Sequence, residues 1–318
     1  MICDGNNNSK PLNMDRRQGL AIGAVVVIFV LCCVVAGLAA GVIVVNKNAK
    51  LMFDFQKVTY PRLVLLSYHP TVRYIPKVFV RTGPWEAERL PAEVKAVLDN
   101  DIALNPGFVQ EYYSDADQGV FLQTNFPEYL EPYSLLLPGA FKADLWRLLY
   151  LYKFGGIYND IGHYYHLPVE SILRLDTDEF VSVSDIGWGI HNAFMAVYPR
   201  HPLIAAMVNK VLQNIEKRTY GRNSLDITGP CTLGKVFNTF LGLRKYEAIP
   251  IGRIQSQGNS FNFLKLKNNS AKDTFISCGE QLVITCKFPD YKSVLYSSRQ
   301  REHYGVMWDR RKVYLDMS

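Results

Sequence analysis

The sequence predicts an α/β protein, a mostly parallel sheet flanked by helices and preceded by one transmembrane helix. Three observations carry this. Strand-like and helical segments alternate from Ile75 onward, the pattern that crossover-connected strands leave in a chain. A long apolar run from Gly19 to Val45 carries no charge. The stretch Phe141–Pro168 reads as helix, glycine stop, strand and acidic loop in succession.

Taken in order, residues 1–18 are polar and asparagine-rich and read as a disordered tail. Residues 19–46 read as an uncleaved transmembrane anchor. The uncharged run is roughly 27 residues against the ~20 that a spanning helix needs, and no A-x-A cleavage site closes it. Arg16 and Arg17 flank one side and Lys47 and Lys50 the other, so charge bias sets the orientation only weakly. Residues 47–74 form a short stem and residues 75–318 the main domain.

Within that domain Ile75–Val80 is a strand with proline near its start, and Arg81–Trp85 is the loop at its C-terminal end. Residues 91–104 are helical. Phe108–Tyr113 is a second strand, followed by a polar loop at Ser114–Asp117 and a helix over Asp117–Asn125. In the central stretch Leu145, Leu148, Leu149 and Tyr152 recur at helical spacing, and Asp144 and Arg147 share another face. Gly155 and Gly156 stop the helix. Ile157 and Tyr158 fit a buried strand, and Asn159, Asp160 and Gly162 end it in turn chemistry. The Asp160 carboxylate is thereby expected at the C-terminal end of a strand, where open α/β sheets place ligand sites. A short helix over Val169–Leu175, strands over Phe180–Ser184 and Asn192–Val197, a helix over Pro202–Lys217 and another around Leu233–Leu241 complete the reading.

Composition narrows the function classes. The chain has 318 residues, 48% hydrophobic and 13% aromatic, enough for a substantial core. A net charge of +6 suits an anionic ligand or simply a mildly basic surface. No arginine-rich block points to nucleic acid. Of six cysteines, Cys278 and Cys286 could pair across a hairpin or remain reduced, and no C-x-x-C pair marks a structural zinc site. Asn268-Asn269-Ser270 is a glycosylation sequon, usable on a lumenal side.

The motifs then resemble a family. Ile75-Pro76-Lys77-Val78 followed by Thr82 and Trp85, Lys142-x-Asp144-x-x-Arg147, and Phe154-Gly155-Gly156-Ile157-Tyr158-Asn159-Asp160 stand in its order. So do Asn192-Ala193-Phe194 with His201-Pro202, Thr228-Gly229-Pro230, and His303-Tyr304 with Trp308. Over residues 75–315 the chain resembles the DXD-containing sugar transferases, the fungal α-1,6-mannosyltransferases and α-1,4-galactosyltransferase-like enzymes. The resemblance implies a GT-A type, Rossmann-like catalytic domain over residues 75–318. It implies transfer of a sugar, with retention, from a UDP- or GDP-linked donor to a glycan, glycolipid or glycoprotein, and a lumenal, Golgi-type placement of a single-pass type II protein; the short stem leaves room for a viral or microbial membrane.

The resemblance also implies roles. Asp160, Asp144 and Arg147 are the catalytic candidates. Thr82, Lys142, Asn192, His303 and Trp308 join Asp144 and Arg147 as donor-binding candidates. Mn2+ or Mg2+ would be the cofactor, held by carboxylates as a Lewis acid and template. One departure is plain: Gly162 stands where the family's second aspartate belongs. Three readings stay open. His163 substitutes as a ligand, Asp160 and His303 hold the metal with phosphate oxygens, or metal dependence or activity is lost. The last makes a catalytically inactive binding protein on the same fold the rival reading. Asp176-Thr177-Asp178 is a literal D-x-D off the family position, read as a solvated turn. Asp115 and Asp117 are either near the nucleotide or part of a surface turn. A glycoside hydrolase would want a second flanking carboxylate, and the sequence offers no clear one.

Overall fold

Two parallel pairings organise the first half of the molecule. In the computed structural model, which describes residues 60–63, 73–185, 187–268, 274–278, 281–296 and 302–316, strand β1 (Val78–Thr82) pairs with β2 (Val109–Tyr113) on one side and β3 (Gly156–Asn159) on the other, both parallel. Parallel neighbours need crossovers. Helix α1 (Ala92–Leu104) supplies the first; α2 (Asp115–Asn125), α3 (Leu130–Leu135) and α4 (Gly139–Phe154) supply the second. Helix α2 starts two residues earlier than expected because Ser114 and Asp117 form a reciprocal capping box.

Beyond β3 the sheet turns mixed. After the two-residue strand β4 (Tyr164–Tyr165) come β5 (Phe180–Asp185) and β6 (Gly189–Val197), an antiparallel hairpin whose second strand pairs antiparallel with β3. The helices α5 (Pro202–Glu216) and α6 (Pro230–Phe240) precede four strands: β7 (Gly252–Ser256), β8 (Asn259–Asn268), β9 (Thr274–Cys278) and β10 (Gln281–Thr285). Strand β8 joins β5 in parallel; β7, β9 and β10 add antiparallel pairs, and β10 ends against β4. The order is β2-β1-β3-β6-β5-β8-β9-β10-β4, with β7 also on β8. The expected parallel arrangement thus holds for β2-β1-β3 and β5-β8. The other pairs are antiparallel: β5–β6, β7–β8, β8–β9 and β9–β10 join consecutive strands, while β3–β6 and β4–β10 join strands distant in sequence.

The expected helix at Val169–Leu175 is only a 3-10 turn, Val169–Ser171. Two short helices, α7 (Tyr291–Tyr296) and α8 (Tyr304–Asp309), follow β10. Cys286 is a free thiol. The β9–β10 register sets Cys278 opposite Gln281 and Thr285 opposite Phe275, so the two cysteines lie at different ends of the hairpin and do not pair across it. No helix among the described residues is long and apolar enough to cross a membrane; the expected tail, anchor and nearly all of the stem lie outside them.

Helix α4 is the hub of the core. Trp146 is fully buried against Tyr113, Phe121 and Tyr150, while Leu145, Leu148 and Leu149 have no exposed surface. Its end is set by backbone geometry. Gly155 and Gly156 take φ of 66° and 101°, and a Cβ on Gly155 would sit 2.7 Å from the Val197 carbonyl. The segment after α8 clasps the start of α4. The Leu137 amide donates to the Val313 carbonyl at 2.8 Å, the Leu315 amide donates to the Leu135 carbonyl at 2.8 Å, and Leu136 bridges to Tyr314.

Candidate functional site

Strands β1 and β3 run parallel, so Thr82 and Asp160 emerge side by side at their C-terminal ends. They open into a cavity of ≈180 Å³. The N-terminus of α4 (Gly139, Ala140) forms one wall, Tyr291 of α7 another, and His303 and Tyr304 of α8 a third. Arg147 and Asp160 lie at its floor.

Helix α4 delivers Asp144 and Arg147 one turn apart on the face that meets β6. Arg147 is the junction of the site. Its guanidinium lies 3.1 Å from Asp160 Oδ1 and 3.2 Å from Asp144 Oδ1, donates to the Asn192 carbonyl at 2.7 Å, and stacks 4.3 Å from the centre of the Tyr158 ring. Its side chain is 5% exposed, whereas that of Asp160 is 40% exposed, so the acid faces the cavity and the base is held behind it. Asp144 is fully engaged. It accepts from Asn192 Nδ2 at 2.8 Å and from the Thr228 hydroxyl at 2.7 Å. The Tyr158 hydroxyl reaches Asp160 Oδ1 at 3.1 Å and Thr82 Oγ1 at 3.0 Å. The backbone of Asp160 is fixed as well: its amide donates to the Ala193 carbonyl, and its carbonyl accepts from Arg81. Arg81 is itself buried in a two-pronged pair with Asp101, at 2.7 and 2.8 Å.

The charges are tuned in opposite directions. Burial alone would raise the Asp160 carboxyl. Arg147, then His163, His191 and the Tyr158 hydroxyl overcome it and hold the group below the usual carboxylate range. Asp144 goes the other way, burial raising it against the pull of Arg147. Asp160 is therefore a fixed negative charge at neutral pH. Arg147 is a fixed positive one, raised by Tyr158 and the two carboxylates despite its burial.

A second positive feature faces the cavity. Helix α4 has no side-chain cap at its N-terminus, and Gly139 and Ala140 leave its first amides approachable. A helix start of this kind attracts anions.

Not all sequence candidates gather here. Thr82, Arg147, Asp160 and His303 line the cavity, and Asp144 and Asn192 support Arg147 from behind. Lys142 lies over the Tyr133 ring instead, and Trp308 donates to the Tyr220 carbonyl; neither lines the cavity. Nor does His163, which is 1% exposed and stacks parallel to His191. Asp115 lines the cavity, while the Asp117 carboxylate accepts from the amide of Ser114, the α2 N-cap. Asp178 of the literal D-x-D accepts from the Arg174 amide and pairs with Arg253, which makes it a structural turn. Sequence reading missed Tyr158 and Arg81 as holders of Asp160, and Tyr291. Only Tyr158, inside the motif, carried a local signal.

The place of the absent second carboxylate is filled. A Cβ on Gly162 would meet the Tyr291 ring at 2.9 Å and the Cys286 carbonyl at 3.0 Å. The residues present do not fit the two-carboxylate cation cradle that a D-x-D provides.

Residues 91–177 match the family described as "Glycosyltransferase sugar-binding region containing DXD motif". Two proteins of Schizosaccharomyces pombe, inositol phosphoceramide mannosyltransferases 2 and 3, are each 26% identical, over 171 and 179 residues. The alignments cover 52% and 55% of this chain and 47% and 48% of theirs; the chain thus spans about half the length of these relatives. Among solved structures, the PaToxG glycosyltransferase superposes with a TM-score of 0.41 at 15% identity, over 54% of this chain and 71% of that one.

Proposed function

We propose, from the match of residues 91–177 to the DXD-containing sugar transferases, that the chain is a GT-A type glycosyltransferase moving a sugar from a UDP- or GDP-linked donor to a glycan, glycolipid or glycoprotein. The observation that carries this reading is the pair Asp160–Arg147 at the cavity floor, an accessible carboxylate and a buried guanidinium 3.1 Å apart, beside an uncapped helix start.

The chemistry follows from charge. Cleaving a nucleotide-sugar leaves a diphosphate on which negative charge grows. The first amides of α4 and the guanidinium of Arg147 are oriented before the donor arrives, so little reorganisation is needed as the bond breaks. Asp160, held by Arg147 and Tyr158, accepts from donor hydroxyls and fixes the sugar in the cavity. Asp144, Thr228 and Asn192 set the pose of Arg147. By resemblance the transfer retains the anomeric configuration. The relatives' printed names and the apolar run at residues 19–46 favour a membrane glycolipid acceptor and a type II, lumenal placement.

The test is turnover by the full chain in detergent, with UDP- and GDP-sugars and glycolipid acceptors, in manganese, magnesium or EDTA. Absence of both turnover and donor binding sinks the proposal. A second reading, a donor-binding protein without turnover, is favoured by Tyr291 occupying the place of the second carboxylate; donor binding with no transfer to any acceptor supports it. Equal rates in EDTA show that positive charge from the protein suffices.

A further inference from the structure

Behind the cavity, three soft donor atoms converge from three segments. The antiparallel pair β4–β10 sets Thr285 opposite Tyr164. The next residues out are therefore His163 and Cys286, facing each other. Strand β6 brings His191 to the same point. The ligand atoms of His163, His191 and Cys286 all lie within 4.8 Å of one another. Zinc bonds of about 2.0–2.1 Å to nitrogen and about 2.3 Å to sulfur place such donors roughly 3.3–3.7 Å apart, so a small inward rotation closes the set.

Two features say that this cluster is more than packing. His163 is 1% exposed, yet its Nδ1 has no hydrogen-bond partner among the described residues, and neither has Nε2 of His191. Buried polar nitrogens are ordinarily satisfied. The other nitrogen of His191, Nδ1, lies 3.4 Å from Asp185 Oδ2. A carboxylate behind an imidazole is the usual outer support of a metal-binding histidine. Cys286 is a free, buried thiol.

We propose that His163, His191 and Cys286 bind one Zn2+ ion. Two imidazoles and a thiolate suit zinc rather than a hard cation, and the thiolate and Asp185 offset its charge. The site is distinct from any cation at Asp160. Its role is to tie the motif loop, β6 and the chain leaving β10 together. Phe288, two residues beyond Cys286, donates its amide to the Gly162 carbonyl at 2.9 Å, and Tyr291 forms a cavity wall. Zinc thereby fixes that wall from behind.

The experiment is metal analysis of the full chain, with Co2+ as an optical probe. Wild-type protein purified from zinc-supplemented medium should hold one zinc per chain. After chelator stripping, Co2+ should give the sulfur-to-cobalt charge-transfer band and the visible bands of a tetrahedral site. Cys286→Ser should lose the charge-transfer band and at least nine-tenths of the zinc; Cys231→Ser should keep both. A zinc-free wild type that gives no cobalt band overturns the proposal, and this measurement needs no variant to fold. Undiminished zinc in a folded Cys286→Ser overturns it equally. None of these readouts depends on transferase activity.

Discussion

Substituting Gly162 by alanine tests the account of the missing carboxylate most directly. The backbone there is not left-handed, so alanine is conformationally allowed. Such a change ordinarily stabilises by about 0.4–1 kcal/mol through the unfolded state. Here the new Cβ meets the Tyr291 ring edge at 2.9 Å and the Cys286 carbonyl at 3.0 Å. The ring can turn aside; the carbonyl, on backbone anchored by the neighbouring β10–β4 pair, cannot do so cheaply. Overpacking of this kind costs about 1–3 kcal/mol. The balance is a net loss of about 1–2 kcal/mol, or roughly 2–8 °C in Tm for a domain of this size. Thermal unfolding by circular dichroism of Gly162→Ala against wild type reads it. In a Tyr291→Ala background the same substitution should cost at least ~0.5 kcal/mol less, because the ring contact is gone. An unchanged or raised Tm for Gly162→Ala would refute the claim that packing, rather than chance, keeps a side chain out of this position.

Asp160→Asn should lower kcat/KM by about 100-fold or more, the usual cost of removing one preorganised electrostatic group, while Asp176→Asn leaves it unchanged; initial rates with a radiolabelled donor decide. Arg147→Met strands Asp144 without its buried partner and should destabilise the fold by about 3–5 kcal/mol, read by denaturant titration. In the metal-free chain, burial pulls His191 down, but the Asp185 carboxylate and the nearby Cys286 sulfur outweigh it and raise the group to about 9. The folded state then holds a proton that the unfolded state releases near 6.5, so this stabilisation is complete below pH 6.5 and lost as pH rises through about 9. Burial lowers His163 to about 3, so stability also declines as pH falls from 6.5 toward 3. Tm against pH should peak near neutrality, and His191→Gln should flatten the alkaline limb.

How much of this was legible in the sequence follows from distance along the chain. Helix α4, the glycine stop and the Asp160 turn are local, and their spacing alone set Asp144 and Arg147 on one helix face and Asp160 at a strand end; that Arg147 joins the two carboxylates was not read. Strands β7 and β8 were not read, although a two-residue left-handed turn at Gln257-Gly258 joins them; the joins of β8 to β5 and of β10 to β4 carry no local signal. Gly162 read as a defect in the motif. Its cause is Tyr291, well over a hundred residues later, and no spacing rule reaches that far. The same holds for His191 and Cys286, which only the β4–β10 register and β6 bring to His163.

The clasp of Leu135–Leu137 by Val313–Leu315 bears on when the cavity comes into being. A ribosome delivers β1, α4 and β3 long before His303, Tyr304 and the clasping residues leave the exit tunnel. Until then the helix start and Arg147 face solvent without their third wall. The sheet can form early, but the pocket is finished last, by contacts of high sequence separation. A nascent chain halted before Val313 should carry a folded β2-β1-β3 layer and no donor affinity.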